Sequence, residues 1–224
     1  MKQPLFFPAI RWPWRFMVFL QAAMAAWMGY THGSGFELYG FKFTDIPYKA
    51  VYSWDHNIAT LIAILGLVTL WRALMPVLGL LALLYLGDTL LLSRYGGFID
   101  DPWPLMGHAV HFALPITVLS LAGLRWAYRV GQLALFLTIG FYAACFFNAP
   151  PYFMDSVMSI SLFWGRTLSE TAAQTILLAI GTMLILSYFL SARSYFRLVA
   201  FCVFSGWMAF LHLRSFGWPL FPES

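Results

Sequence analysis

Charged side chains are scarce in this 224-residue chain, of which Asp, Glu, Lys and Arg make up 10%. Soluble domains carry about a quarter charged residues and about half apolar ones. Here the apolar fraction is 61% and the mean hydropathy is +0.75. This composition excludes an ordinary soluble domain and a disordered chain. It also argues against nucleic-acid binding, despite a pI near 9.2.

Cysteine is scarce too, and the two cysteines, Cys145 and Cys202, lie in different apolar runs. The topology predicted below separates them by roughly 14 Å in depth, at about 1.5 Å rise per residue. A disulfide needs Cα atoms within about 7 Å, so we expect none. The chain also lacks a CxxC motif, a phosphate-binding P-loop and a nucleophile elbow.

Long apolar runs predict an all-α protein, a polytopic transmembrane helical bundle. Only helices and closed barrels satisfy the backbone in lipid, and a barrel would show alternating segments of about ten residues. Seven spans are predicted, at 14–31, 55–71, 74–93, 104–123, 128–147, 170–190 and 196–213. Three glycines inside these spans are expected to allow close helix packing, namely Gly66, Gly79 and Gly181.

The basic residues predict the orientation. With the N-terminus in the cytoplasm, eight Lys and Arg residues lie inside and five outside, and every acid except Asp88 lies outside. Asp88 falls within the third span. The positive-inside rule therefore predicts a cytoplasmic N-terminus and a periplasmic C-terminus, in a bacterial inner membrane.

Two segments of the chain look alike, 51–97 and 166–217. Each has an acid near the head of a helix, Asp55 or Glu170, then a span, a basic turn and a second span ending in Arg and Gly. We predict a parallel repeat in which spans 1–3 match spans 5–7. The predicted units within the single membrane domain are 1–127, with four spans, and 128–224, with three. Alternatively, the two segments are not a true repeat, because any two helical hairpins in an apolar chain have similar sequences.

The start of the predicted second span carries a family resemblance. An acid (Asp55), the helix sequence LIAILGLVTLWRA and a basic break before the third helix resemble the DoxX-like family of small four-helix membrane proteins. The resemblance covers 14–123 as one unit and 128–217 as a second, truncated unit. Some members of that family accompany respiratory enzymes that pass electrons to quinone, and others assist redox maturation of exported proteins. The resemblance therefore implies a redox-linked accessory role.

The histidines are the main candidates for chemistry, because all five fall in the predicted outer half. His56 opens the second span, and His108 and His111 lie one helical turn apart on one face of the fourth. They predict a metal, haem or quinone site built from His56, His108 and His111, since imidazole ligates transition metals and haem iron. Asp88 is the predicted ligand, orienting group or proton acceptor. Asp55 is a second catalytic candidate, and Arg94 a cofactor-binding one.

A structural interpretation of the same residues stays open. Interfacial histidines can bond to water and loops while Asp88 pairs with Arg94 to neutralise its charge. In either case a carboxylate inside a span should face the protein and have a polar partner. We expect that partner to be His108, His111 or Arg94.

The function predicted from these features is an accessory or anchor subunit of a larger, redox-linked membrane complex that handles quinone or electrons at the outer face. Its partners would be the lipid bilayer and other membrane or periplasmic subunits, and the 148–169 loop could lie in the interface or contact a partner. One alternative is a stand-alone intramembrane enzyme or cofactor-binding protein that uses the His/Asp cluster. Another is a small-solute transporter.

Overall fold

The structure is a computed structural model that describes residues 10–31, 33–95, 103–148, 161–162, 166–167 and 169–189. Nearly all of these residues are helical, which confirms the predicted all-α class. The helices are α1 (Trp12–Thr31), α2 (Gly35–Phe43), α3 (Tyr48–Trp71), α4 (Met75–Tyr95), α5 (Trp103–Gly107), α6 (Ala109–Thr117), α7 (Arg125–Asn148) and α8 (Glu170–Phe189). A 3-10 turn (Val118–Ala122) follows α6, and a two-residue antiparallel pair joins Ser161–Leu162 to Arg166–Thr167.

Two helical segments in the described part are long and apolar enough to cross a membrane, Tyr48–Trp71 and Leu105–Ala122. A third apolar segment, Met75–Leu91, is shorter. The seventh predicted span, 196–213, lies outside the described residues. The count of seven, the repeat and its boundary between residues 127 and 128 therefore stay predictions.

The segment left between the first two predicted spans, 14–31 and 55–71, is mostly helical over its described residues, so the predicted start of the second span at residue 55 was wrong. It contains α2 and the first two turns of α3, which begins after Pro47 rather than at Asp55. The carbonyl of Pro47 accepts the first bonds of α3, from the N–H groups of Ala50 and Val51. Exposed polar and aromatic side chains in these turns break the apolar run without breaking the helix. Asp55 consequently lies about two turns inside α3.

The predicted span 104–123 departs from a regular helix at two places, between α5 and α6 and at Pro115, and a side chain from a neighbouring helix supplies a hydrogen-bond partner at each. Between α5 and α6, the hydroxyl of Thr138 donates to Met106 O and accepts from Val110 N, at 3.3 Å each. The side chain thus bridges the two groups that an unbroken helix would bond directly. Pro115 has no N–H to donate to His111 O four residues earlier. Gln21 Nε2 from α1 donates to that carbonyl instead.

Close approaches of small residues set the helix pairs. In the antiparallel pair of α1 and α3, a Cβ added at Gly66 would lie 2.6 Å from the Ala22 Cβ. In the antiparallel pair of α6 and α7, one added at Gly131 would lie 2.8 Å from Thr117 Cγ2. The expected role of Gly66 is confirmed. At Gly79 no described residue lies within 4 Å of a Cβ built there, so the described helices make no close approach at this glycine.

The helices follow one another through the bundle, each packing on the next, in the order α1, α3, α4, α6, α7, α8. Helix α2 lies across α3 and α4 and packs on both. Its Phe36 contacts Gly87 of α4, and its Gly40 contacts Val51 of α3. The first turn of α2 therefore lies beside the N-terminal half of α3, which contains Asp55, and the C-terminal half of α4, which contains Asp88.

Candidate functional site

The site is organised by the N-terminus of α2. Gly33 has a φ of +77°, a conformation that favours glycine, and it turns the chain from α1 into α2. Ser34 is the N-cap, and its Oγ accepts a hydrogen bond from Phe36 N at 3.1 Å. A serine cap satisfies one of the N–H groups that have no partner within the helix. The cap leaves the Ser34 hydroxyl hydrogen and the Gly35 N–H available to other helices.

Two carboxylates use those two donors. The Ser34 hydroxyl donates to Asp55 Oδ1 of α3, and the Gly35 N–H donates to Asp88 Oδ1 of α4 at 2.6 Å. Asp55 is 1% exposed and Asp88 is partly buried. Adjacent residues of one turn therefore hold an acid from each of two neighbouring helices. The positive end of the α2 dipole favours negative charge at this place.

Asp55 retains an unused acceptor. Its Oδ2 is buried and has no hydrogen-bond partner among the described residues, and the charge of the nearby Asp88 repels its own. A buried acceptor without a partner is costly, and a buried charge more so. A proton bound to one of the two carboxylates would remove one buried charge and the repulsion between the two acids. The arrangement is thus suited to taking up and releasing a proton.

A second polar cluster lies deeper in the bundle and consists of Gln21 of α1, Tyr85 of α4 and His111 of α6. The Tyr85 and His111 rings lie 5.5 Å apart, and Gln21 donates to the His111 carbonyl. Gln21 and Tyr85 are 5% and 3% exposed. Within the part of the chain that the structure describes, the Gln21 Oε1 and Tyr85 hydroxyl oxygen atoms are buried without hydrogen-bond partners.

The two clusters share one face of α4. Tyr85 and Asp88 are three residues apart, so their side chains lie on the same side of the helix. Polar groups therefore continue from the α2 turn towards the middle of the bundle through Asp88, Tyr85 and His111. The sequence pattern pointed to His111 and Asp88 but not to Ser34, Gln21 and Tyr85. A glutamine in the apolar run of the first span and Pro115 four residues after His111 were the signals that could have pointed to Gln21.

His56 lies next to Asp55 in sequence but does not join the carboxylates. Its Nδ1 is 3.0 Å from the Tyr52 carbonyl oxygen, one turn back in α3. Its ring lies between those of Tyr52 and Tyr30, with centroids 4.0 and 4.9 Å away. Consecutive helical residues point about 100° apart, so His56 belongs to an aromatic surface while Asp55 points inward.

The expectation that Asp88 faces a polar partner is confirmed, and the partner within the described part of the chain is the Gly35 N–H, which was not among the predicted candidates His108, His111 and Arg94. Arg94 lies near the end of α4, and its side chain is outside the described part. His108 caps α6 without a side-chain bond to the helix. Among the described residues, no group of three or more His, Cys, Asp or Glu side chains could hold a metal. The predicted metal site of His56, His108 and His111 is therefore not assembled, because His56 packs on the tyrosines of α1 and α3.

Comparison of the chain with protein-family models, with curated proteins and with solved structures found no match. The chemistry of the two clusters and the apolar character of the helices are thus the basis for a functional proposal.

Proposed function

We propose that the protein is an integral membrane subunit of a larger, redox-linked complex, in which Asp55 and Asp88 exchange protons at the outer face. The observation that carries this proposal is the buried Asp55, with one oxygen unpartnered and a second carboxylate beside it. Ionisable groups inside apolar helices are expensive and mark proton or ion pathways. Quinone oxidation and reduction release and consume protons, so a proton-exchanging pair suits a quinone-linked complex.

The surface of the helices supports membrane embedding. Along α3, one of the two candidate spans, apolar side chains stay exposed: Leu61, Ile64, Leu67 and Trp71. In water this surface would be unfavourable, whereas lipid covers it without cost. The proposed arrangement has seven spans, a cytoplasmic N-terminus and a periplasmic C-terminus in a bacterial inner membrane. The DoxX-like resemblance is a further reason to propose a redox link.

Exposed aromatics near the site support assembly with other subunits. The α2 end of the bundle presents Phe41, Phe43, Tyr48, Tyr52 and Trp54, all exposed. Tyrosine and tryptophan are enriched both at membrane interfaces and at protein interfaces. An accessory role is proposed because the described part is all helical bundle, with no separate domain that could carry a redox centre.

The test is purification of the intact protein in mild detergent, with identification of its partners, a visible spectrum and metal analysis. Asp88→Asn is the informative variant, because asparagine keeps the oxygen that accepts from Gly35 but cannot exchange a proton. We expect a normally assembled complex whose electron transfer to quinone falls about 100-fold, the usual scale for loss of a proton-transfer group.

Asp45→Asn is the matched control, since Asp45 is exposed between α2 and α3. It should leave activity unchanged. An Asp88→Asn complex that is fully assembled and fully active would contradict the proton-exchange role. Purification of the chain without any partner subunit would contradict the accessory role.

A second candidate function is a stand-alone quinone-binding protein, which the buried cluster of Gln21, Tyr85 and His111 favours. A quinone head group needs donors and acceptors at its two oxygens, and the Tyr85 hydroxyl and the His111 ring are groups of that type. Quinone retained by the isolated chain and lost in Tyr85→Phe would support this function. Haem or metal in the isolated chain would favour another cofactor, and solute flux in liposomes would favour transport.

A further inference from the structure

A pocket lies at the end of the bundle opposite α2, where the 3-10 turn after α6 meets α7. Its volume is about 390 Å³, and its polar lining is formed by Ser120, Arg125, Tyr128, Arg129 and Gln132. Gly123, with a φ of +82°, makes the turn into α7. The pocket is separate from both polar clusters described above.

The charge of the pocket indicates an anionic ligand. Arg125, Tyr128, Arg129 and Gln132 lie at spacings of three and four residues, so successive turns of α7 present them on one face. The described lining contains two guanidinium groups and no carboxylate. Guanidinium groups bind phosphate through paired hydrogen bonds.

The surface next to the pocket is apolar. Leu133 and Phe136 follow Arg129 by four and seven residues on the same face of α7, and each is 61% exposed. The candidate span Leu105–Ala122 ends at the pocket, which places the two arginines at the boundary of the apolar layer. A soluble anion would use the arginines alone, whereas a lipid would use the arginines and the adjoining apolar surface.

We propose that this pocket binds the phosphate group of an anionic membrane lipid, whose acyl chains lie along Leu133 and Phe136. Basic pockets at the ends of membrane helices bind anionic lipid head groups in this way. The proposal rests on the membrane embedding proposed above and is independent of the redox role.

The experiment is native mass spectrometry of the full-length protein in neutral detergent, titrated with phosphatidylglycerol, phosphatidylcholine or inorganic phosphate. Phosphatidylglycerol should bind more tightly than phosphatidylcholine, and inorganic phosphate at equal concentration should not displace it. Arg125→Gln and Arg129→Gln should each weaken phosphatidylglycerol binding roughly fivefold. Leu133→Ser should also weaken it, by removing a contact with the acyl chain.

Arg72→Gln is the matched control, because Arg72 is exposed at the α3–α4 turn on the same end of the bundle. It removes the same charge outside the pocket and should leave lipid binding unchanged. Arg125→Lys keeps the positive charge, and phosphatidylglycerol binding retained by this variant would show that a change at residue 125 leaves the fold intact. Equal binding of the two lipids, displacement by inorganic phosphate, or an equal loss in Arg72→Gln would each overturn the proposal. None of these outcomes bears on the Asp88→Asn test.

Discussion

The two candidate membrane spans satisfy their backbone hydrogen-bonding groups in different ways. Helix α3 runs unbroken for 24 residues and is 28% buried over its most apolar stretch, whereas Leu105–Ala122 is 50% buried, is interrupted at His108 and lacks one backbone N–H at Pro115. In lipid, backbone groups must find partners within the protein. The backbone groups of α3 find their partners within the turns of α3 itself. The segment Leu105–Ala122 finds two of its partners on other helices. Gln21 of α1 donates to the His111 carbonyl, and Thr138 of α7 accepts from the Val110 N–H.

The comparison also shows where unsatisfied chemistry remains. At the broken span, the neighbours supply neutral groups that complete the backbone bonding. At the unbroken span, Asp55 brings a charge into the core, and the Ser34 hydroxyl accounts for one of its two oxygens. The irregular span therefore has its backbone hydrogen bonding completed by neighbouring helices, and the candidate site lies on the regular helix α3.

The largest expected effect is that of Ser34→Ala. The variant loses the α2 cap and the hydroxyl that donates to buried Asp55, so we expect it to cost about 3 kcal/mol of unfolding free energy. Ser169→Ala is the matched control, because Ser169 caps α8 at an exposed position, with Ala172 N 3.3 Å from its Oγ. It should cost about 1 kcal/mol. Unfolding in mixed SDS micelles measures both, and equal losses would show that Asp55 does not depend on Ser34.

Gln21→Leu should cost about 2 kcal/mol, because it removes the Nε2 group that donates to the partly buried His111 carbonyl. Pro115→Ala restores the N–H that an unbroken helix would offer to that carbonyl. The double variant should therefore recover most of the lost stability, as a double-mutant cycle would show. If the stability changes of Gln21→Leu and Pro115→Ala simply add in the double variant, Gln21 does not replace the hydrogen bond that Pro115 cannot make.

Gly66→Ala should destabilise the protein by about 1–2 kcal/mol, because the new methyl group would lie 2.6 Å from the Ala22 Cβ. Gly79→Ala is the control within α4, where the same methyl group meets nothing within 4 Å. That change should be neutral or slightly stabilising, since alanine favours helix. A thermal shift of the same size and sign in both variants would contradict the close packing of α1 on α3.

The smallest effect expected is that of Thr138→Val, about 1 kcal/mol, from loss of the hydroxyl that bridges Met106 O and Val110 N. Thr175→Val is the control, since Thr175 is exposed on α8 and donates within its own helix. It should change stability by less than about 0.5 kcal/mol. An unchanged stability in Thr138→Val would mean that α5 and α6 join into one helix when the hydroxyl is removed.

Much of the secondary structure could be predicted from apolar run length, but the ends of the helices could not. The first two turns of α3 carry exposed Tyr48, Tyr52 and Trp54, so an apolar-run criterion starts the helix too late. The fourth run looked continuous because hydropathy does not register a missing N–H at Pro115. The candidate site was half predictable, because Asp88 stood out as an acid inside a span while Ser34 and Tyr85 had no distinguishing pattern.

Composition by itself determined the helical class, since 61% apolar residues in long runs leave few other ways to satisfy the backbone. The sequence also determined that Asp88 needs a partner, because a buried carboxylate is too costly alone. Which group serves it was decided by the tertiary structure. The Gly35 N–H becomes a donor to Asp88 because Ser34 starts a helix that packs across α3 and α4. A backbone N–H is present at almost every residue, so its position in space, rather than its identity in the sequence, makes it the partner.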